Sequence, residues 1–454
     1  MSSTTRSPDP PPSPGGGSLE EAVRLHREGR LEDAEMAYRA VLEVRPDHPD
    51  AIHFLGVLQH QAGRSEEAVE LIARAVELRP DHPDIYNNLG NILLQLGRHP
   101  EAAQAYRSAL ALAPGMAMAH QNLAAALRAQ GKLELAIASY DRALALEPDR
   151  AETHSNRGNA LRQMGRLEEA AVAYERALTL DPGHVRSYTN LGQVLYRLER
   201  VEQAFEVFRR WAAREPDNPI PRHMMAACSG EDVPGRASDG YVEQVFDHFA
   251  ESYDENLRAL EYRVPAWIAS VLPRHVKTGE GLAVLDAGCG TGLCAEVLRP
   301  YAGELEGIDL SAGMLDRARG LDRYDRLEKA ELVAHLSGED RRWDLIVSAD
   351  TLVYFGDLEP VTRGAHRALR PGGLLVFSVE GLDGAAPGGY RLNAHGRYSH
   401  RRDYLERTVA NAGLALEALD AGVLRNEGGV PVTGWLVVAR RPTGSPGPAG
   451  SASS

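Results

Sequence analysis

The chain has 454 residues, 43% of them apolar, 25% charged and 6% aromatic, with a formal net charge of -14. That length exceeds one ordinary core and predicts two or three domains. The acidic balance argues against a sequence-independent grip on nucleic acid, and no stretch is apolar enough to span a bilayer.

Residues 1–17 and 442–454 are rich in Ser, Thr, Pro and Gly and are predicted to be low-complexity tails. The first has no apolar core, so neither signal peptide nor anchor is expected. Only Cys228, Cys289 and Cys294 carry thiols, without metal-ligand spacing. That usage predicts a reducing, cytoplasmic setting and no metal site.

Between the tails runs a strict period. Pro46, Pro80, Pro114, Pro148, Pro182 and Pro216 are 34 residues apart, as are Ala34, Ala68, Ala102, Ala136, Ala170 and Ala204. Gly29, Gly63, Gly97, Gly131 and Gly165 keep the same step until Glu199 breaks it. The period, with Tyr86, Leu89, Gly90, Gly97, Ala102, Tyr106, Ala109 and Pro114 in the third copy, resembles the tetratricopeptide repeat. The resemblance implies an all-α solenoid of six copies over residues 18–229, worn at its start and closed by a capping helix with Met224 and Met225.

Asn88, Asn122, Asn156 and Asn190 recur at one position of the first helix of copies three to six, and Phe54 replaces them in copy two. In the family that helix lines a groove, and such a row resembles the asparagine ladder of the O-linked N-acetylglucosamine transferase superhelix, which holds peptide main chain. A carboxamide both donates and accepts, so it can pair with a peptide unit whatever its side chain. The alternative is that N-L-G is repeat consensus with solvated amides. A protein or peptide partner in the groove is therefore one of two readings, and the oligomeric state is left undecided.

Residues 230–240 are rich in Gly, Pro, Ser and Asp and read as a linker, followed by a catalytic domain over 241–441. Residues 241–257 have helical apolar spacing through Val245, Phe246 and Phe249, and residues 265–272 form another helix. Alternating strands and helices then predict a doubly wound α/β sheet of the Rossmann-like kind. The first strand ends in Val284-Leu285-Asp286-Ala287-Gly288-Cys289-Gly290-Thr291-Gly292, with a helix expected from about Leu293. Glycines at every second position let the backbone lie against a ligand. A dinucleotide fingerprint is a poor fit, because its sixth position falls on Leu293 rather than Gly or Ala.

The string D-A-G-C-G-T-G resembles the first motif of class I S-adenosylmethionine-dependent methyltransferases. The resemblance implies that Asp286, Gly288, Cys289, Gly290 and Gly292 hold the methionine end of S-adenosylmethionine. Asp309, 19 residues past Gly290 at the end of a second strand over 305–310, suits the ribose hydroxyls. Leu310 and Met314 follow, with Met314 expected against the adenine. The third strand, 326–330, lacks the family's Gly-Asp, which leaves Glu331 as the group near the adenine amine. A fourth strand over 343–348 leads to Asp350 and Tyr354, facing the methyl-transfer region, and Leu369-Arg370-Pro371-Gly372-Gly373 turns into a fifth over 374–379. That turn is a second family feature. Glu380 ends the fifth strand, either within reach of substrate or as a solvated acid.

Further strands are expected at 414–419 and 434–440, with a helix at 404–412 before them. The polar, aromatic stretch from Tyr390 to His400 sits where the family builds substrate specificity. Asp350, Tyr354, Tyr253 on the expected lid helix, and His400 are the candidates for orienting or deprotonating an acceptor; each has a purely structural alternative. From Leu19 to Arg441 the chain resembles bacterial predicted methyltransferases that contain tetratricopeptide repeats. Methyl transfer to an acceptor recruited by the repeats is one reading. The others are a repeat scaffold whose second half binds cofactor as a sensor or is silent, and a small-molecule enzyme that uses the repeats for assembly.

Overall fold

The computed structural model describes residues 18–250 and 253–443. Residues 1–17, 251–252 and 444–454 and the side chains of His248 and Phe249 lie outside the described residues. The chain divides into two compact units, one ending at Val194 and one beginning at Leu195.

The first unit is built of paired helices: α1 (Leu19–Arg27) with α2 (Leu31–Val44), α3 (Pro49–Gln61) with α4 (Ser65–Leu78), α5 (Pro83–Gln95) with α6 (His99–Leu112), α7 (Ala117–Ala129) with α8 (Leu133–Leu146), and α9 (Ala151–Gln163) with α10 (Leu167–Leu180). The unit boundary falls inside α11 (Val185–Arg197). The worn first copy is still a helix pair; its α1 is shortened to nine residues and capped by Ser18, whose side chain accepts from the Glu21 amide. Each pair closes on one large side chain. Tyr38, Ile72, Tyr106, Tyr140 and Tyr174 occupy the same place in successive copies and are almost wholly buried. Burying such a side chain is worth about 1.5–3 kcal/mol. Gly90 is small because a Cβ there would stand 2.6 Å from the Tyr106 ring, so Tyr106 packs against the first helix of its own pair. At the missing sixth turn glycine, Glu199 adopts the same left-handed conformation at φ 59°, a cost of about 1–2 kcal/mol.

The second unit opens with α12 (Val201–Arg214) and α13 (Pro219–Ser229). Residues 230–240, expected as a linker, are instead strapped to the α/β sheet. The Gly235 carbonyl accepts from the amides of Gly356 and Asp357, Arg236 forms a β-bridge with Phe355, and the Ala237 amide donates to the Tyr354 carbonyl. The lid stretch is two helices rather than one, α14 (Asp239–Phe249) and α15 (Tyr253–Ala259), followed by α16 (Val264–Val271).

The sheet then alternates with helices: β1 (Leu282–Ala287), α17 (Ala295–Leu298), β2 (Ala302–Asp309), α18 (Ala312–Arg319), β3 (Arg326–Lys329), α19 (Leu332–Gly338), β4 (Trp343–Ser348), α20 (Glu359–Ala368) and β5 (Leu369–Gly381). Strands β3, β2, β1, β4 and β5 lie side by side and parallel in that order. After the small hairpin β6 (Tyr390–Leu392) and β7 (Tyr398–His400) come α21 (Arg402–Asn411), β8 (Ala415–Glu427) and β9 (Val430–Arg440). Strand β9 runs antiparallel to β5 and carries β8 on its far side. Apolar layers cover both faces, one around Leu285, Ile346 and Phe377, the other around Val284, Val347 and Val376. Successive residues of each strand thus face opposite layers, as expected of a sheet buried on both sides.

Two expectations shift locally. The helix after the glycine turn is a single turn starting at Ala295, not a long helix from Leu293, because Gly288, Gly290 and Gly292 all take left-handed φ and stretch the turn. The L-R-P-G-G turn is absorbed into β5, where Gly372 bulges at φ 87° with its amide on the Arg441 carbonyl. Among the described residues, no helix is long and apolar enough to cross a membrane.

Candidate active site

The strand order reverses between β1 and β4, and a cavity opening to solvent lies at the carboxyl ends of the strands there. This is where doubly wound sheets place ligands. Gly288, Gly290, Asp309, Leu310, Met314 and Glu331 line it, and Asp350, Tyr354 and Tyr253 complete its wall. A side chain at Gly290 would project into open space, whereas one at Gly288 would strike Thr351. The two glycines therefore have different reasons to be bare: one leaves room in the cavity, the other lets β4's exit loop close over the turn.

Asp309 ends β2 with both oxygens engaged by backbone. Its Oδ2 accepts from the Gly290 amide and its Oδ1 from the Ser311 amide, each at 2.9 Å. Burial raises its pKa, and the amides of Ser311, Gly290 and Leu310 oppose the rise. A carboxylate has about four acceptor sites, so beside these amides capacity remains for a ligand hydroxyl.

The lid is pinned to the same turn. Asp254 of α15 accepts from Thr291 Oγ1 at 2.6 Å, and Asp247 of α14 accepts from the Ser311 hydroxyl and, at 3.3 Å, the Gly313 amide. Phe246 sets its ring edge-on to Tyr354 at 5.4 Å and to Tyr253 at 5.8 Å. Burial pushes the Tyr354 phenol up to about 12 and raises Tyr253 further, so both stay protonated with a proton to donate.

Asp350 is held in a left-handed backbone conformation, φ 57°, with its amide donating to Ser378 Oγ. Its carboxylate takes two contacts from one nitrogen of Arg425, at 3.0 and 3.1 Å. Burial raises its pKa, and Arg425 and Arg397 oppose the rise. Arg425 is 2% exposed and also bonds Glu380 and Glu427; Arg397 bonds the same two acids. Burial works against the Glu380 carboxylate, yet Arg397, His395 and Arg425 hold it below its ordinary value. Glu380 is thus neither solvated nor free; it braces the two guanidinium groups behind Asp350.

Four expected site residues lie away from the cavity wall. Asp286 is 1% exposed and accepts from the Tyr324 hydroxyl at 2.7 Å. Burial pushes its pKa up to about 7; the Tyr324 bond lowers it and the Asp309 charge raises it. Gly292 abuts Leu321 and Tyr324, and the Cys289 thiol is buried toward Gly307. His400 is a correction: it is fully buried, its Nε2 faces the Gly356 carbonyl at 3.1 Å, and burial drops its pKa to about 4. It packs flat on Tyr404 and supports the hairpin rather than reaching an acceptor.

Sequence reading missed Tyr324, Arg236, Asp247, Asp254 and Arg425. Arg236 and Phe246 line the cavity; Phe246, Asp247 and Asp254 fall in the lid pattern and Arg236 in the string before it, so each carried a family signal without a role, whereas Tyr324 and Arg425 carried none. In the first unit, Asn122 donates to Asn91 Oδ1 at 2.9 Å and Asn190 to Asn159 Oδ1 at 3.1 Å, from one copy to the copy before. Tyr106 and Tyr174 donate to the same two acceptors. Asn88 meets His53 Nε2 at 2.9 Å, beside the Phe54 that interrupts the row. Asn156 is half-buried on α9.

A family profile described as a methyltransferase domain matches residues 285–377. Tetratricopeptide repeat profiles match residues 19–83, 61–117 and 155–219, and a further one matches 125–165. The ubiquinone biosynthesis O-methyltransferase of Chelativorans sp. (strain BNC1) is 29% identical over 197 residues, 38% of this chain and 76% of its own length. The malonyl-(acyl-carrier protein) O-methyltransferase of Pseudescherichia vulneris is 30% identical over 138 residues, 30% of this chain and 53% of its own. The chain therefore spans three quarters of the first relative and about half of the second. A solved S-adenosylmethionine-dependent methyltransferase from Mesorhizobium loti is 26% identical over 39% of this chain and 98% of that one, at a TM-score of 0.32, too low to carry weight. The chain carries an array of tetratricopeptide repeats followed by a methyltransferase domain.

Proposed function

We propose that the cavity binds S-adenosylmethionine and that the protein transfers its methyl group to an acceptor recruited by the repeats. The observation that carries this is the Gly290–Asp309 pair: a bare backbone facing open space beside a strand-end carboxylate that retains acceptor capacity beyond its backbone amides. In this reading Gly288, Gly290 and Asp309 hold the cofactor, Leu310 and Met314 flank the adenine, and Glu331 meets its edge. The cofactor supplies a methyl group already activated on a sulfonium. What the chain must add is alignment and exclusion of water. Tyr253 and Phe246 close over the site, and Tyr354 donates a hydrogen bond to orient the acceptor.

Asp350 acts here as an anchor rather than a base, since Arg425 occupies its carboxylate. Acceptors that are nucleophilic without proton removal suit such a site best. The acceptor is proposed to be a protein presented along the row of Asn88, Asn122, Asn156 and Asn190, whose amides retain hydrogen-bonding capacity beyond their contacts within the array. A reducing, cytoplasmic setting is part of this proposal, and three free cysteines are consistent with it.

Calorimetry with S-adenosylmethionine tests the cofactor. Asp309→Ala is expected to weaken binding at least 100-fold, and undiminished affinity would overturn the assignment. Incubation with methyl-labelled cofactor and a lysate of the protein's own host then tests the acceptor. Label in a protein band supports the reading; label confined to small molecules sinks protein methylation.

A further inference from the structure

At the β3 edge of the sheet, away from the cavity's glycine turn, three side chains from three elements converge. Glu306 and Glu328 stand on one face of β2 and β3, because Glu306 pairs with Arg326 and Ile308 with Glu328 in the parallel register. Helix α19 lays His335 over that face. The ligating atoms of Glu306, Glu328 and His335 all lie within 4.8 Å of one another, and this is the one such group among the described residues.

Two of these atoms are orphans. Glu306 is wholly buried, yet its Oε1 has no hydrogen-bond partner. The His335 side chain is 7% exposed, and its Nε2 likewise has none. They face each other at 3.5 Å. That is beyond the roughly 2.7–3.2 Å of a protein hydrogen bond. It is close to the separation of about 3.4 Å expected of two donors on one tetrahedral ion with bonds near 2.05 Å. A buried carboxylate oxygen and a buried imidazole nitrogen left unpaired at this distance each carry a desolvation cost that a shared cation removes.

The surrounding charges fit. Arg342 takes Glu306 Oε2 at 2.6 Å and also bonds Glu304 and Glu339, while Arg326 takes Glu328 Oε2. Arg342 thus holds the far oxygen of Glu306 and leaves Oε1 facing the imidazole, and Arg326 anchors Glu328 by one oxygen, the role that outer partners play around metal ligands. Four carboxylates against two guanidinium groups, with the imidazole neutral, leave a charge of -2. A surface depression lined by Glu328, His335 and Glu339 gives an entry path.

We propose that Glu306, His335 and Glu328 form a binding site for a divalent transition-metal ion of the zinc class. One imidazole nitrogen and two carboxylate oxygens suit Zn2+ better than Mg2+ or Ca2+, which take all-oxygen sets. Bound there, the ion ties α19 to the sheet edge. The residue capping α19 is Glu331, which accepts from the amides of Val333 and Ala334 and lines the cavity. The site is therefore structural, and it steadies one wall of the pocket.

Titration of the chelator-treated full-length chain with zinc chloride in a calorimeter, paired with thermal unfolding, tests this. One equivalent of Zn2+ is expected to bind and raise Tm, with no such rise from Mg2+. Glu328→Gln and His335→Gln should each weaken that binding roughly tenfold or more. Glu328 is 37% exposed by side chain, so its variant keeps the test sharp if the packed His335 variant fails to fold. The proposal is overturned if the chain takes up no Zn2+, or if Glu328→Gln binds it with unchanged stoichiometry and affinity.

Discussion

The two units bury polar groups in opposite ways. The repeats use neutral ones: Tyr106 and Asn122 both donate to Asn91, and Tyr174 and Asn190 repeat the arrangement on Asn159. The methyltransferase domain uses ions, with Arg425 almost wholly buried among Asp350, Glu380 and Glu427. A neutral bond can be lost for about its net worth, roughly 1 kcal/mol. A buried ion stripped of its partner costs several times more, about 3–5 kcal/mol. The array therefore tolerates change copy by copy, while the second unit stands or falls on a few residues.

The largest expected effect follows directly. Arg425→Ala leaves buried Asp350 without its partner and Glu380 and Glu427 on Arg397 alone, and should destabilise the second unit by about 3–5 kcal/mol in denaturant unfolding. The transition of the first unit should stay in place. If both transitions move together, the contrast is wrong.

The contrast also has a pH signature with opposite signs. Burial drops the His53 pKa to about 4, below its unfolded value near 6.5, so its Nε2 stays free to accept from Asn88. The unfolded chain binds the proton more readily, so the stability His53 contributes is present above about pH 6.5 and is lost as pH falls toward about 4. Asp286 runs the other way. Its folded pKa, raised to about 7, exceeds the unfolded value, so stability is present below about pH 4 and is lost as pH rises through about 7. His53→Gln and Asp286→Asn should therefore differ from the parent with opposite slopes between pH 4 and 7, each by about 2–3 kcal/mol across the window. Parallel difference curves would refute the assignment.

Smaller effects probe the array alone. Tyr106→Phe removes one donor from Asn91 and should cost about 1 kcal/mol. Asn122→Ala combined with Asn156→Ala should cost the array a similar amount, about 1 kcal/mol, and leave cofactor affinity alone, while lowering labelling of the protein acceptor. Unchanged acceptor turnover in that double variant removes the peptide-row proposal.

What was legible in the sequence follows the same divide. A 34-residue period exposes every pair of helices, because local packing repeats with the chain. Even the break at Glu199 kept its turn. In the α/β unit, β4 fell where its apolar run placed it, and Asp309 with Gly290 reached the cavity wall. The illegible parts are those made by distant partners. Asp350 and Arg425 are 75 residues apart, and Asp286 and Tyr324 are 38 apart. Glu306, Glu328 and His335 share no motif spacing, since register and a helix crossing bring them together. His400 looked available because a polar stretch surrounds it, but cross-strand pairing turns it inward.

The strap at residues 230–240 bears on modularity. Composition changes at residue 241, and a protease or an evolutionary recombination event acting there would seem to free an intact enzyme. It would instead carry away Arg236 and Ala237, which wall the cavity, and the Gly235 carbonyl that ties down Gly356 and Asp357. Helix α13 goes with them, and its His223 bonds the Gly396 carbonyl beside Arg397 at 2.9 Å. Exchange of repeat arrays between such proteins can succeed only when the crossover lies upstream of α13, so the catalytic half is inherited with the end of its own array attached.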